Sequence, residues 1–213
     1  MGLSPAGRLF DPPGAALDLG MASPARKSAT YEDLLKLPEG TVGEIVDGEL
    51  YATPRPAGKH AACAFTLSSE IGPPFQARRG GPGGWLFLFE PELHLAGETL
   101  VPDLAGWRQE RMSAIPDAPA VTLAPDWVCE ILSPSTERLD RVKKLPAYAR
   151  HGVAHAWPIN PSTRTLEVYR REGGSWVLAA SHADHAVVRA EPFDAIEIDL
   201  LRLWGEERPA SAG

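Results

Sequence analysis

Two carboxylates and one lysine stand out in the middle of the chain, because each belongs to or adjoins an apolar segment. Asp103 follows the proline of VPDLAGW, Glu130 lies within PDWVCEIL, and Lys144 lies within LDRVKKLPAYA. Two carboxylates that face each other across adjacent strands repel when both ionise, and a divalent cation that prefers oxygen relieves this repulsion. Magnesium or manganese is the expected guest. Such an ion polarises a phosphoryl oxygen while a lysine orients the attacking water, so the pattern favours phosphodiester hydrolysis.

A structural interpretation of the same residues stays open. Asp and Glu are common, and a buried Glu130 could equally be held in an ion pair with Lys143 or Lys144. The spacing alone does not separate a metal site from a structural charge cluster.

The two carboxylates are predicted to lie on neighbouring strands. A turn at Gly97 leads into a strand-like segment that carries Asp103, and PDWVCEIL forms a further strand of the same group. Alternation along this strand places Glu130 on one face with Val128 and Leu132. The opposite face carries the residues Trp127, Cys129 and Ile131.

The lysine is predicted to lie on a helix that follows directly. Asp140, Lys144 and Tyr148 recur at four-residue intervals and therefore share one face. Ser135 or Thr136 can cap this helix, and Pro146 inside it is expected to bend or tighten it.

Further elements are predicted on both sides of this region. They are a helix YEDLLKL, a hairpin around Asp47-Gly48, a helix from His60 to Ile71 stopped by Gly72-Pro73-Pro74, a loop RRGGPGG, a strand WLFLFEPELHL, and the closing strands AHAWPI, TLEVYRR and SWVLAA. We expect one domain at 29–205. The segments 1–28 and 206–213 are predicted to be disordered tails, and Met21 is a candidate start of translation.

Composition narrows the function classes. No apolar run is long enough to cross a bilayer and no signal peptide is recognisable, which predicts a cytoplasmic protein. Cys63 and Cys129 are expected to be buried, and the six histidines show no zinc-binding spacing. The net charge of −7 gives no general attraction for a polyanion, so contact with nucleic acid requires a local basic patch. The candidates for that patch are Arg78, Arg79, Arg108, Arg111, Arg138, Arg141, Lys143 and Lys144.

The segments VPDLAGW, EILSPST, DRVKKLPAYARHGV and AWPINP resemble the Uma-two family of "putative restriction endonucleases", a branch of the PD-(D/E)xK nuclease superfamily. The resemblance covers roughly Ala29 to Leu203. It implies an α/β fold in which a mixed β-sheet is flanked by helices, here with additional β-hairpins. It also implies that Asp103 and Glu130 bind the metal. DNA is then the expected substrate, and a homodimer is expected because two sites are needed to cut two strands.

The sequence departs from the superfamily motif at two positions. Leu132 occupies the place of the E-x-K lysine, so the family's D-x-x-x-K pattern makes Lys144 the expected replacement, held by Asp140. Lys143 points about 100° away around a helix and is expected to be a surface residue. Asn160 stands where the family usually has Asp, and Asn serves a turn as well.

Other residues are weaker candidates for the site. His60 resembles a recurrent family histidine that could contact the scissile phosphate, while Glu44 and Glu92 could add a carboxylate. Two other functions stay open: a nuclease fold that only binds nucleic acid or a protein partner, and a glycosidase built on a carboxylate pair. Loss of activity with a chelator would mark the nuclease.

Overall fold

The architecture is known from a computed structural model, which describes residues 28–54 and 58–208. The predicted disordered tails fall mainly on residues 1–27 and 209–213, which lie outside the described part, as does Met21. The strands are β1 (Thr41–Val46), β2 (Glu49–Pro54), β3 (Trp85–Phe89), β4 (Leu93–Leu95), β5 (Glu98–Leu100), β6 (Leu104–Arg108), β7 (Trp127–Ile131), β8 (His155–Asn160), β9 (Thr165–Glu172), β10 (Ser175–Ala183), β11 (Val187–Val188) and β12 (Ile198–Asp199).

The helices are short apart from one. They are α1 (Tyr31–Leu34), α2 (Lys59–Ile71), α3 (Glu137–Leu139), α4 (Leu145–Arg150) and α5 (Leu200–Leu203). Two π-helical turns, Gly72–Gln76 and Asp140–Lys144, extend α2 and join α3 to α4. None of the helices in the described ranges has the length and apolar character needed to span a bilayer.

Three sheets organise the strands. The largest has the order β10-β9-β8-β7-β6-β3, the second β2-β1-β5-β4, and the third pairs β11 with β12. In the largest sheet β7 and β8 are parallel and the other neighbours antiparallel. The fold is therefore the predicted α/β arrangement of a mixed sheet with flanking helices and additional hairpins.

Strand β7 is buried on both faces, and its alternation is as predicted. Trp127, Cys129 and Ile131 pack into one core with the apolar side of α2, while Val128 packs into a second core with Tyr148. The side chain of Glu130 lies on the same face of β7 as Val128, among these apolar neighbours, and is only 3% exposed.

The segment from Glu137 to Arg150 crosses over between the parallel strands β7 and β8. Pro146 has no N–H to bond to the carbonyl of Val142 and would collide with that carbonyl in a regular α-helix. The chain meets this constraint with the π turn just before it, in which Leu145 N donates to Asp140 O. The predicted tightening or bend at Pro146 therefore takes the form of a widened turn.

The hairpin prediction is confirmed in detail. Val46 pairs with Glu49, so the turn contains Asp47 and Gly48 alone, with φ of 52° and 74°. Positive φ at both positions is what a two-residue hairpin of this type requires.

Three element boundaries were predicted wrongly. The segment after Gly97 is not one strand, because β5 ends at Leu100 and β6 begins at Leu104 in a different sheet, so Asp103 lies between two strands. The segment WLFLFEPELHL is not one strand, because Glu90 adopts φ 43° before Pro91 and sends β3 and β4 into different sheets. The helix α2 does not stop at Gly72, because the π turn continues it. The bond that closes this turn runs from Ala77 N to Gly72 O and needs no proline N–H.

Candidate catalytic site

Asp103 and Glu130 meet where β6 begins beside β7. Leu104 pairs with Cys129, so extending the antiparallel ladder by one residue sets Asp103 opposite Glu130. Asp103 Oδ2 accepts a hydrogen bond of 2.6 Å from Ile131 N, and Asp103 Oδ1 lies 3.2 Å from His60 Nε2. One oxygen of Asp103 is thus held by the backbone of β7, and the other by a histidine in the first turn of α2.

Lys144 lies at the centre of the acidic residues and is 4% exposed. Its Nζ is 3.0 Å from Glu44 Oε1, 3.0 and 3.1 Å from the two oxygens of Glu130, and 3.0 Å from Val101 O. Asp140 Oδ1 is farther, at 3.6 Å. An ammonium group has three hydrogens, and these acceptors account for all three.

Two further bonds hold the carboxylates around Lys144. The hydroxyl of Tyr148 donates to Glu130 Oε1 at 2.6 Å, and Val101 N donates to Glu44 Oε1 at 2.7 Å. Glu44 comes from β1 of the second sheet, so the site joins two sheets and the crossover helix.

A cavity of about 280 Å³ opens onto this cluster. It is lined by Val42, Glu44, Thr53, Pro54, His60, Glu90, Val101, Asp103, Glu130, Ile131, Ser133, Ser135, Thr136, Leu139, Asp140 and Lys144. The predicted pair of carboxylates, the predicted lysine and the accessory residues His60, Glu44 and Asp140 therefore share one cavity, and Tyr148 supports it from the core.

Comparisons with known proteins identify the family and the fold of this chain. The model of the Uma2 family, described as "Putative restriction endonuclease", matches residues 29–201. The chain belongs to the Uma2 family. Among solved structures it is similar to the crystal structure of "a putative nuclease belonging to DUF820" from Anabaena variabilis, with 25% identity, a TM-score of 0.68, and coverage of 83% of this chain and 98% of that one. None of the curated proteins matches.

Three candidate residues of this Uma2 chain lie elsewhere. Glu92, a predicted accessory carboxylate, does not line the cavity; it accepts from Tyr31 and lies 2.7 Å from His94 Nε2. Lys143 lies 3.3 Å from Asp47 Oδ2 on the surface, as its place on the helix indicates. Asn160 Oδ1 accepts from Ser162 N, a turn bond of the predicted kind.

The predicted basic patch is largely neutralised by local partners. Carboxylates pair with Arg111, Arg141, Lys143 and Lys144. Arg78 donates to Gln109, and Arg108 lies over the ring of Trp85. Of the eight predicted cations, Arg79 and Arg138 have no such partner within residues 28–54 and 58–208.

Sequence reasoning gave no role in the site to three hydroxyl groups at the cavity wall. Ser133 Oγ lies 3.0 Å from both Ser135 Oγ and Thr136 Oγ1. The signal was present in the segment EILSPST, where three hydroxyl residues follow the strand that carries Glu130. Only Ser135 and Thr136 were considered, as helix caps, and the side chain of Thr136 makes no capping bond to the helix.

Burial dominates the electrostatics of the acidic cluster. It raises the pKa of Glu130 well above the usual range, against the attraction of Lys144, and neighbouring carboxylates add to the rise. Burial also opposes the charge on Lys144, but Glu130 and Glu44 outweigh it and raise the lysine pKa. The lysine therefore stays charged, and the cluster holds more acid than one ammonium neutralises.

The donor set suits a hard cation, although it is not a preformed cage. Within the described ranges no three His, Cys, Asp or Glu side chains are grouped so as to enclose a metal ion. Magnesium, however, usually takes one or two protein carboxylates and completes its shell with water and phosphate oxygens. Asp103 and Glu130 supply two buried carboxyl groups at a cavity lined by more acidic than basic side chains, and these residues fit such an ion.

Asp140→Asn is expected to change the pH dependence of stability. Burial raises the pKa of Asp140 to about 6, although Lys144 and Thr136 oppose the rise. Because its pKa is raised on folding, Asp140 contributes fully to stability below its unfolded pKa near 3.8, where it is protonated. This contribution is lost as the pH rises through about 6. Between pH 4 and pH 7 the variant should therefore gain about 2.5 kcal/mol in free energy of unfolding relative to the unchanged protein, as measured by urea unfolding with a chelator.

Asp199→Asn is the matched control for that experiment. Arg208 lowers the pKa of Asp199, so the stability that this carboxylate gives is lost as pH falls, the opposite sign. If the free energy of unfolding depends on pH in the same way for Asp140→Asn and the unchanged protein, ionisation of Asp140 does not destabilise the fold.

Proposed function

We propose that this protein is a metal-dependent endonuclease that hydrolyses phosphodiester bonds in DNA. One observation carries the proposal: Asp103, Glu130 and Lys144 share a cavity in which three carboxylates, those of Glu44, Glu130 and Asp140, lie within 3.6 Å of a single ammonium group. Membership of the Uma2 family supports nuclease chemistry in this cavity.

Asp103 and Glu130 are the proposed ligands of magnesium or manganese. When bound, the ion would polarise a phosphoryl oxygen and favour ionisation of the attacking water. Ile131 N and Tyr148 OH each hold one oxygen of these carboxylates, so the side chains are aimed before the ion arrives.

Lys144 is proposed to assist the water after giving up one of its present bonds. Two of its three partners are carboxylates and the third is the carbonyl of Val101. The carboxylates attract the ammonium as opposite charges, whereas Val101 O is a neutral acceptor, so the bond to Val101 O is the one to yield. The carboxylates then keep the lysine in place while one hydrogen turns to the water or to the developing charge.

His60 is proposed to contact the scissile phosphate. Its ring lines the cavity, and Asp103 Oδ1 lies 3.2 Å from Nε2. A histidine held by a carboxylate in this way can carry a proton toward a phosphoryl oxygen.

A second candidate function is a nuclease fold that binds nucleic acid without cutting it. The observation in its favour is the engagement of all three Lys144 hydrogens by protein acceptors, which a structural cluster would also show. Metal binding separates the two candidates.

Calorimetry with magnesium and manganese tests the proposal. The unchanged protein should bind the ion, and Asp103→Ala should weaken binding by at least about tenfold because a charged ligand is lost. Glu92→Ala is the matched control, since it removes a carboxylate outside the cavity, and it should bind normally.

The outcome is decisive in both directions. Absence of binding by the unchanged protein, with DNA present or absent, would favour the second candidate. Equal binding by Asp103→Ala would place the ion elsewhere.

The proposed partner is DNA and the proposed assembly is a homodimer. Cutting both strands of a duplex requires two sites, which a twofold assembly supplies.

A further inference from the structure

A second depression adjoins the catalytic cavity along the edge strand β3. Its volume is about 370 Å³, within the range of small-molecule binding sites. It is lined by Ser68, Ile71, Gly72, Pro73, Gln76, Ala77, Arg79, Phe87, Leu88, Phe89 and Leu104. We refer to this set of residues as the edge groove.

The edge groove begins where the catalytic cavity ends. Phe89 pairs with Leu104 across β3 and β6, and these residues line the groove. The next residues, Glu90 and Asp103, line the cavity and are joined by a bond from Glu90 N to Asp103 O. The two sites are thus separated by one residue along the strands, roughly 3.3 Å, which is less than the length of one nucleotide unit.

Two side chains of the groove suit a nucleotide. Phe89 is 54% exposed at the end of a strand that is otherwise mostly covered, so its ring is accessible. Arg79 is exposed and has no ion-pair partner in the described part of the chain. An accessible aromatic ring with a free cation nearby is the combination by which proteins hold single-stranded nucleic acid.

We propose that the edge groove binds an unpaired nucleotide adjacent to the scissile phosphate, with Phe89 stacking on the base and Arg79 contacting a phosphate. This inference rests on the proposed function, because it takes the neighbouring cavity as the place where the strand is cut. The substrate it implies has an unstacked base at the cut, as in single strands, loops or locally opened duplexes.

A second copy of the chain fits the same groove less well. Strand pairing between copies would use the outer edge of β3, but Phe87 N on that edge already donates to Gln76 Oε1 at 2.7 Å. A blocked edge of this kind discourages strand addition. Arg79 would also bring an unneutralised charge into an interface between copies.

The test compares affinities for a short fluorescent single-stranded oligodeoxynucleotide in a Glu130→Gln background, where cleavage is suppressed. Adding Phe89→Ala should weaken binding about tenfold, because base stacking on an aromatic ring contributes about 1–3 kcal/mol. Adding Phe89→Trp should retain binding. Phe65→Ala is the matched control, since Phe65 is 74% exposed on α2 and lines neither site.

Arg79→Ala should reduce the slope of log affinity against log salt concentration by about 0.7, the value for one phosphate contact to a single strand. Arg189→Ala is its control, because Arg189 already pairs with Glu197. Equal affinities for Phe89→Ala and Phe65→Ala would overturn the inference. So would a Glu130→Gln protein that binds no oligonucleotide, or a sedimenting dimer that dissociates in Phe89→Ala while its affinity for the oligonucleotide is unchanged.

Cleavage is measured separately with Glu130 intact. A protein that never cleaves but shows the predicted affinity differences would contradict the proposed function and keep the groove. If the protein cleaves DNA but Phe89→Ala binds the oligonucleotide normally, the proposed function stands and the inference about the edge groove is contradicted.

Discussion

Replacement of Glu130 by glutamine is expected to abolish DNA cleavage, lowering the rate by about 10³-fold or more. The substitution keeps the shape of the side chain but removes one of the two charges proposed to hold the metal, and electrostatic groups of this kind supply large parts of a rate enhancement. Tyr148 can still donate to the amide oxygen, which then turns the amide NH₂ toward Lys144. The measurement is the rate of nicking and linearisation of a supercoiled plasmid with magnesium or manganese.

The variant should remain folded, and this separates chemistry from stability. Burial raises the pKa of Glu130, so the ionised side chain is itself unfavourable in the folded protein at neutral pH. Loss of that charge offsets the loss of its bond to Lys144. Urea unfolding of Glu130→Gln should therefore resemble that of the unchanged protein, and Glu92→Gln should leave cleavage intact. Full cleavage by Glu130→Gln would rule out the proposed metal ligand.

Replacement of Lys144 by methionine should destabilise the protein by about 3–5 kcal/mol at pH 8. The side chain is buried, and its removal leaves Glu44, Glu130 and Asp140 without a neutralising ammonium at 3.6 Å or less. Removing the only cation of a buried charge cluster is costly, because the remaining carboxylates stay out of water without an opposite charge. The measurement is urea unfolding, and the adjacent Lys143→Met, which removes an ion pair at the surface, should destabilise the protein far less.

The deficit of Lys144→Met should shrink in acid. Burial raises the pKa values of Glu130 and Asp140, so these side chains stabilise the fold when protonated and lose that contribution as pH rises. Asp140 already has a pKa of about 6 with the lysine present. The loss of stability in Lys144→Met should therefore become smaller once the pH is lowered past 6. Adding Glu130→Gln should recover part of the loss at pH 8. Equal stability of Lys144→Met and Lys143→Met would show that the cluster does not depend on the lysine.

Local chemistry was enough to predict most elements. The Asp47-Gly48 turn is specified by two neighbouring residues, and the two faces of β7 follow from simple alternation. Lys144 was predicted from the family's D-x-x-x-K pattern together with its four-residue spacing from Asp140, and the π turn still leaves both side chains in the acidic cluster.

The parts that were missed depend on long-range packing or on an unusual backbone. Glu44 was a weaker candidate for the site, but its bond to Val101 N was missed, because it spans a long separation in sequence and no spacing rule connects the two residues. The break between β3 and β4 depends on the backbone of Glu90, a residue type that rarely adopts positive φ. The position of Glu92 follows from that break, which directs it toward Tyr31 and away from the cavity.

The π turn at Asp140–Lys144 also sets the rotational phase of the crossover helix. A π turn amounts to one extra residue in an α-helix, so the segments before and after it are offset by roughly 100°. Arg141 can therefore reach Glu167 on β9 while Lys144 and Tyr148 both point at Glu130. The wide turn thus lets one short crossover segment contact both Glu167 and Glu130. Pro146 prevents this segment from adopting a regular α-helix.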